Sequence, residues 1–173
     1  MNGTTQYVSN SSFVWTAGQP VTVLLWRKVA ACTASGAFGM QSTGTDRFGA
    51  HLPYSNCVAY WDYGDFQTTG RISTDYTPYL GKWVRLALVS AGSAGTFKGI
   101  YLNGTLVASA PSSGAPTTLT TLEVGRWTLS TGTLYDPGSV DDFRVENRVW
   151  SAAEILTDYR QAAMARRHRV SLR

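Results

Sequence analysis

The stretch GIYLNGTLVA (99–108) does most to restrict what this chain can fold into. Asn103-Gly104 stands between two apolar-rich runs, and a two-residue Asn-Gly loop favours the type I′ turn, whose twist matches paired antiparallel strands. The spacing predicts a β-hairpin, and the surrounding pattern is also β. VTVLLWRKV (21–29) reads as a strand buried on both faces, Trp26 included. KWVRLALVS (82–90) sets Val84, Leu86 and Leu88 on one face against Arg85 and Ala87 on the other. RFGAHL (47–52), CVAYW (57–61), RIS (71–73), TLEVG (121–125) and SVDDFRVEN (139–147) supply further strands. The Gly/Ser/Pro stretches at 91–95 and 109–117 read as loops, because strand pattern resumes unchanged after each.

One helix is predicted. Ser151 and Glu154 form an S-x-x-E capping box ahead of Ile155, Leu156 and Tyr159, which share a face at helical spacing. Many strands, one terminal helix and no βαβ alternation predict an all-β fold. The expected architecture is an antiparallel two-sheet jelly-roll sandwich over 1–150, with a C-terminal helix and Arg-rich tail at 151–173.

With 173 residues, 43% hydrophobic and 15% charged, the chain suits one globular domain with a sizeable core. Its apolar runs are too short for a membrane helix. The segment after Met1, NGTTQYVSNSS, has neither the basic nor the apolar region of a signal peptide, so the usual secretory route is not expected. The net charge of +4 comes from the C-terminus: Arg160, Arg166, Arg167, Arg169 and Arg173 face no acidic residue after position 159. A near-neutral body with a cationic tail argues against a nucleic-acid surface and for a docking appendage, with a solvated helix end as the plain alternative. Cys32 and Cys57 are too few for a disulfide scaffold or zinc site; they are either buried thiols or, in an oxidising compartment, a pair.

The order of these segments resembles the laminin G-like group of concanavalin A-like jelly rolls, in its phage-associated form, over roughly residues 1–160. NGTTQYV resembles the opening strand, with Gln6 where the group has Asp. PVTVLLWRK, GKWVRLALV, IYLNG-TLVA, LEVG and VDDFRVENRVWSAAEI follow in the group's order. Enzymes resembling this fold carry E-x-D-x-E on one strand, whereas this chain has only Glu123, Glu146 and Glu154. Retaining glycoside hydrolysis needs two carboxylates about 5–5.5 Å apart. Asp141 and Asp142 are adjacent, so strand alternation sends them to opposite faces and no catalytic pair is expected. The resemblance implies a structural calcium at Asp141, helped by backbone near Asn2 and Gly3. The competing expectation is a buried Asp141, on the Phe143/Val145 face, that tethers the terminal strands through backbone amides.

Sugar binding uses aromatic faces with a few polar groups. Tyr54, Tyr60, Trp61, Tyr63 and Phe66 crowd into thirteen residues beside Asn56, Asp62 and Asp65. In CVAYWDYG, alternation separates Val58, Tyr60 and Asp62 from Ala59, Trp61 and Tyr63, so one set is core. Trp61 and Tyr63 on an open face, with Asp65 in the turn and Trp127 at a loop edge, are the expected glycan platform; covering a sheet face or subunit contact is their structural alternative. Trp15, Trp26, Trp83 and Trp150 are expected in the core. The resemblance thus implies a non-enzymatic surface or decoration protein of a bacteriophage virion, on capsid or tail, that binds host glycans. Its tail would hold virion proteins or sister subunits. A purely architectural virion subunit and the carbohydrate-binding domain of a secreted bacterial protein are the alternatives.

Overall fold

Two antiparallel sheets face each other, and the alternation within their strands decides which sides meet. The computed structural model describes residues 1–42, 44–111 and 115–171, apart from the side chains at 94 and 167–171. The first sheet runs β1 (Val8–Trp15), β10 (Leu119–Val124), β3 (Phe38–Met40), β4 (Asp46–His51), β5 (Val58–Asp65), β6 (Arg71–Asp75). The second runs β13 (Ser139–Glu146), β2 (Val21–Lys28), β7 (Val84–Ser90), β8 (Lys98–Leu102), β9 (Thr105–Ala110). A hairpin of β11 (Arg126–Leu129) and β12 (Gly132–Tyr135) stands apart, and α1 (Ala152–Ser171) closes the chain. This is the jelly-roll sandwich with one C-terminal helix that the strand pattern predicts.

Val23 and Leu25 of β2, with Leu86 and Leu88 of β7, meet Phe38, Phe48, Trp61 and Tyr63 of the first sheet. Each such side chain contributes about 1.5–3 kcal/mol on burial. The next residues along β2, Leu24 and Trp26, point the other way and are buried as well. There Leu24 joins Ala87, Val89, Tyr101 and Ile155 of α1 in a second cluster, while Trp26 meets Tyr159. The unbroken apolar run of β2 therefore reflects a strand with the core on one side and a helix on the other. Trp15 is buried like Trp26, whereas Trp83 and Trp150 are only half-buried.

Asn103 and Gly104 take φ of 52° and 81° and connect β8 to β9, the left-handed pair that a type I′ turn requires. Gly104 also lies under the helix: a Cβ there would come 2.9 Å from Leu156 Cδ1. The capping box forms as its sequence predicts. Glu154 accepts from the Ser151 amide at 2.7 Å, and Ser151 Oγ accepts from the Glu154 amide at 3.3 Å. These bonds, with Arg148 at 2.8 Å, hold the Glu154 carboxyl down at about 2. A carboxyl with a lowered folded-state pKa stabilises above its unfolded value, and that contribution is lost as pH falls through the folded one. Helix signal in circular dichroism should therefore weaken from about pH 4.5 towards pH 2, and Glu154→Gln should lose that part of the acid transition.

Cys32 and Cys57 form a disulfide, with Cα atoms 5.1 Å apart and 25 residues separating them. Closing a loop of this length stabilises by about 3 kcal/mol in the chain-entropy account. Replacing both cysteines by serine should lower the urea midpoint accordingly, and an unchanged midpoint would remove the bridge from the stability argument. Lys98 ties the second sheet to the β5–β6 turn. Its ammonium, fully buried, donates to the carbonyls of Tyr63 at 2.8 Å and Gly70 at 2.7 Å, and burial pushes it down to about 8.

Strand β13 departs from simple alternation. Asp141 pairs with Trp26, but Arg144 pairs with Leu24, so three steps on β13 match two on β2. The extra residue is a bulge with Asp142 at φ 48°. Both aspartates consequently reach the helix side. Asp141 meets Arg166 of α1 at 2.8 Å, and Asp142 meets Arg85 at 3.1 Å and Arg144 at 3.2 Å. The opposite-face expectation for this pair, and the buried position expected for Asp141, are both corrected by the bulge.

Candidate functional site

The outer face of the first sheet carries what the core does not. In β5, Ala59, Trp61 and Tyr63 point into the core, so Tyr60 and Asp62 point out. Strand register then sets their neighbours. His51 lies opposite Tyr60, Gly49 opposite Asp62 and Arg47 opposite Gly64 on β4. Arg71 lies opposite Asp62 on β6. A charged and aromatic grid results from strands that are close in sequence and joined by short turns.

Asp62 is fully buried at its centre. Arg71 grips it bidentately, with Nε to Oδ1 and Nη2 to Oδ2 both at 2.6 Å. Arg47 is held more loosely, Nη1 lying 3.4 Å from Oδ2. Its guanidinium stacks on the Phe66 ring at 3.7 Å, and burial pulls its pKa down against the pull of Asp62. Tyr60 lies beneath Arg71 and accepts from Asn56 Nδ2 at 2.7 Å. His51 Nδ1 is 2.7 Å from the Ser35 carbonyl, so that nitrogen carries the proton; burial holds the imidazole below its ordinary value and therefore neutral.

The β11–β12 hairpin folds over this face. Trp127 is its anchor, fully buried, with Nε1 donating to the Met40 carbonyl at 2.8 Å. It lies directly on Gly39 and Gly49; a Cβ on Gly39 would sit 2.4 Å from the indole. Glu123, buried on β10, secures the hairpin by accepting from the Thr128 amide and Arg126 Nε, each at 2.8 Å. Burial raises its pKa, but the bonds from Gln41, Arg126 and Thr128 outweigh this and hold it low.

Between hairpin and sheet lies a groove of about 290 Å³. The hairpin lends it Leu129, Thr131 and Leu134, while Arg47, His51, Tyr60 and Arg71 come from the sheet and Tyr54 and Asn56 from the β4–β5 loop. A larger groove of about 410 Å³ follows the β13–α1 junction. Its charges answer one another, Arg148 with Glu154 at 2.8 Å and Arg144 with Asp158 at 2.5 Å. The groove on the first sheet is the candidate site because its charges do not balance.

The expected platform residues lie elsewhere. Trp61 is fully buried between the sheets and donates to the Val89 carbonyl at 3.3 Å. Tyr63 is equally buried; its hydroxyl accepts from Trp15 Nε1 at 2.8 Å and donates to the Gln19 carbonyl. Trp127 has both faces covered as described. Asp65 shapes the β5–β6 turn by accepting from the Gln67 amide at 3.0 Å. Trp61 and Tyr63 offer no ring face to a sugar, because alternation in β5 turns them into the core and leaves Tyr60 outside. Trp127 is closed off instead by Gly39, Gly49 and His51. Asp62 was the available signal: a carboxylate does not line an apolar core unpaired, so its parity marks the outer face.

Asp141 does not fit a calcium ion. Its carboxylate faces the Arg166 guanidinium at 2.8 Å, and Asn2 Oδ1 accepts from the amides of Thr4, Thr5 and Gln6. Among the described residues, no cluster of three or more His, Cys, Asp or Glu is placed to hold a metal. Nor do the described residues of the tail hang free. Helix α1 runs on to Ser171, and Arg166 stacks on Trp83 at 3.7 Å, while Arg160 is exposed. The side chains of Arg167 and Arg169, and all of Arg173, lie outside the described residues.

Two-sheet jelly rolls recur in viral capsid proteins, lectins and cupins. Residues 2–156 match the profile of the concanavalin A-like lectin/glucanases superfamily, laminin G type, and the chain belongs to that family. No curated protein matches it in sequence. In fold it is similar to the botulinum neurotoxin serotype G binding domain, with 13% identity and a TM-score of 0.68 over 91% of this chain and 41% of that one. It is also similar to the serotype D ligand-binding domain in complex with N-acetylneuraminic acid, with 15% identity and a TM-score of 0.63 over 84% of this chain and 37% of that one. The receptor-binding domain of botulinum neurotoxin D, at 15% identity and a TM-score of 0.60, is matched over 90% of this chain and 43% of its own. The chain thus spans about two fifths of these neighbours' length.

Proposed function

We propose that this chain is a non-catalytic glycan-binding domain that receives a sugar in the groove between the β11–β12 hairpin and strands β4 to β6. The observation that carries it is the groove itself, where Tyr54 and Tyr60 stand with the directional donors Asn56, Arg47 and Arg71. Aromatic surface beside fixed hydrogen-bonding groups suits a pyranose. Membership of a lectin/glucanase family supports the reading, as does the sugar-bound serotype D neighbour. Catalysis is disfavoured by the site's chemistry. Among its described lining residues there is no carboxylate, and Asp62 beneath them is committed to Arg71 through both oxygens, whereas glycoside hydrolysis calls for two available carboxyl groups.

The setting we propose is outside the cytoplasm, on a virion surface or within a secreted bacterial protein. The Cys32–Cys57 bridge supports this, since disulfides persist in oxidising compartments. A glycan array followed by calorimetric titration tests the site. Tyr54→Ala should weaken binding of the best glycan about tenfold, at the upper end of what one aromatic contact supplies, with the melting temperature unchanged and no sugar cleaved. Failure to retain any glycan, or hydrolysis of a bound one, would overturn the proposal.

A further inference from the structure

The groove carries one cation more than its own structure uses. Arg71 satisfies both oxygens of Asp62, at 2.6 Å each, and that pair is complete. Arg47 is left with a single 3.4 Å contact to a carboxylate that is already occupied. His51 adds no negative charge, and its proton is directed to Ser35. Two guanidinium groups therefore share one buried carboxylate.

Arg47 is also built in. Its side chain is 10% exposed, its Nε is buried without a hydrogen-bond partner, and Phe66 and Trp127 lie 3.7 and 5.5 Å from its guanidinium carbon. Stacking on rings fixes the plane of a guanidinium and leaves its edge for a planar anion. A largely desolvated, under-paired cation costs stability unless something answers it. Tyr54, Tyr60 and Asn56 border the same groove, so the answering group arrives on something with a hydroxylated, partly apolar ring. At about 290 Å³ the groove is at the small end of ligand pockets, the size for a terminal residue.

We propose that the groove selects glycans whose terminal sugar bears a carboxylate, with Arg47 as the principal anion contact. The proposal rests on the glycan-binding reading and names its substrate class. Sialic and uronic acids share this chemistry, and matched pairs separate them.

The test is calorimetric titration of the full chain with 3′-sialyllactose against lactose, and with tetragalacturonate against its methyl ester. A charge-assisted hydrogen bond contributes about 1.5–3 kcal/mol, so the acid of one pair should bind about 10- to 100-fold more tightly than its neutral partner. Which pair responds identifies the sugar acid. Arg47→Gln should erase the preference, so that acid and neutral partner bind the variant alike. Equal binding of acid and neutral partners would overturn the anion proposal while leaving glycan binding intact. So would an acid preference that survives Arg47→Gln. No binding by any of the four probes would overturn the anion proposal, and the glycan-binding reading would fall only if the array is blank as well. If Arg47→Gln does not fold, the wild-type acid-to-neutral ratios still decide.

Discussion

Asp136→Ala should cost about 3–5 kcal/mol of folding stability, because it strands a guanidinium in the interior. Asp136 and Arg27 are both fully buried, with Arg27 Nη2 2.5 Å from Asp136 Oδ1 and Arg27 Nε 2.8 Å from the Leu52 carbonyl. The pair joins β2 to the loop entering β13. Taking both charges out of water nearly cancels their attraction, so the intact pair adds little, yet losing one partner costs the full desolvation of the other. Burial pushes the Asp136 carboxyl above its ordinary range even with Arg27 pulling it down. Arg27→Met removes that pull and raises it further. A carboxyl with a raised folded-state pKa stabilises below its unfolded value, and that contribution is lost as pH rises through the folded one. The Arg27→Met deficit should therefore shrink in acid, whereas the Asp136→Ala deficit should not. Arg27→Met combined with Asp136→Leu should recover most of the loss. Urea unfolding at pH 7 and pH 4.5 measures all three, and a double variant as unstable as the sum of the singles would refute the account.

Trp127→Ala should lower stability by a similar 3–5 kcal/mol, the cost of deleting a buried aromatic together with the cavity it leaves. That is roughly 10 °C in melting temperature for a chain of this size. The indole is fully buried on Gly39 and Gly49 and bonded to the Met40 carbonyl at 2.8 Å. Because it seats the hairpin that supplies Leu129 and Leu134 to the groove, sugar affinity should fall with stability. Gly39→Val should act similarly from the other side of the contact, since even a Cβ there meets the indole at 2.4 Å. A tryptophan serving as a sugar platform behaves otherwise, losing affinity with the melting curve unmoved. Differential scanning calorimetry alongside the titrations separates the two, and an unmoved melting curve for Trp127→Ala would return it to the role its loop-edge position suggested.

Those positions show where reading stretch by stretch stops. In CVAYWDYG the two alternating sets are plain, and the cluster does hold site residues, but Trp61 and Tyr63 lie in the wrong set. Tyr60 is in the right one, and the Asp62 it shares a face with is what identifies that face. Asp141 and Asp142 mislead for a different reason. Alternation separates them only if β13 is regular, and the left-handed φ of 48° at Asp142 belongs to a bulge set by pairing with β2. Arg166 looks like free tail until α1 lies along the second sheet and brings it to Asp141 and Trp83.

Read alone, the amino-acid order determines the antiparallel sandwich, the Asn103-Gly104 hairpin, the doubly buried β2 and the capping box of α1. Each depends on residues within a few positions of one another, where turn conformation and strand period act directly. The groove depends on none of these. Arg47, Tyr60 and Arg71 meet through the registers of β4, β5 and β6, and the hairpin reaches them because Trp127 finds two glycines on distant strands. Contacts across the chain are settled by packing the whole core at once, so only the tertiary structure shows which arginine has the weaker hold on Asp62.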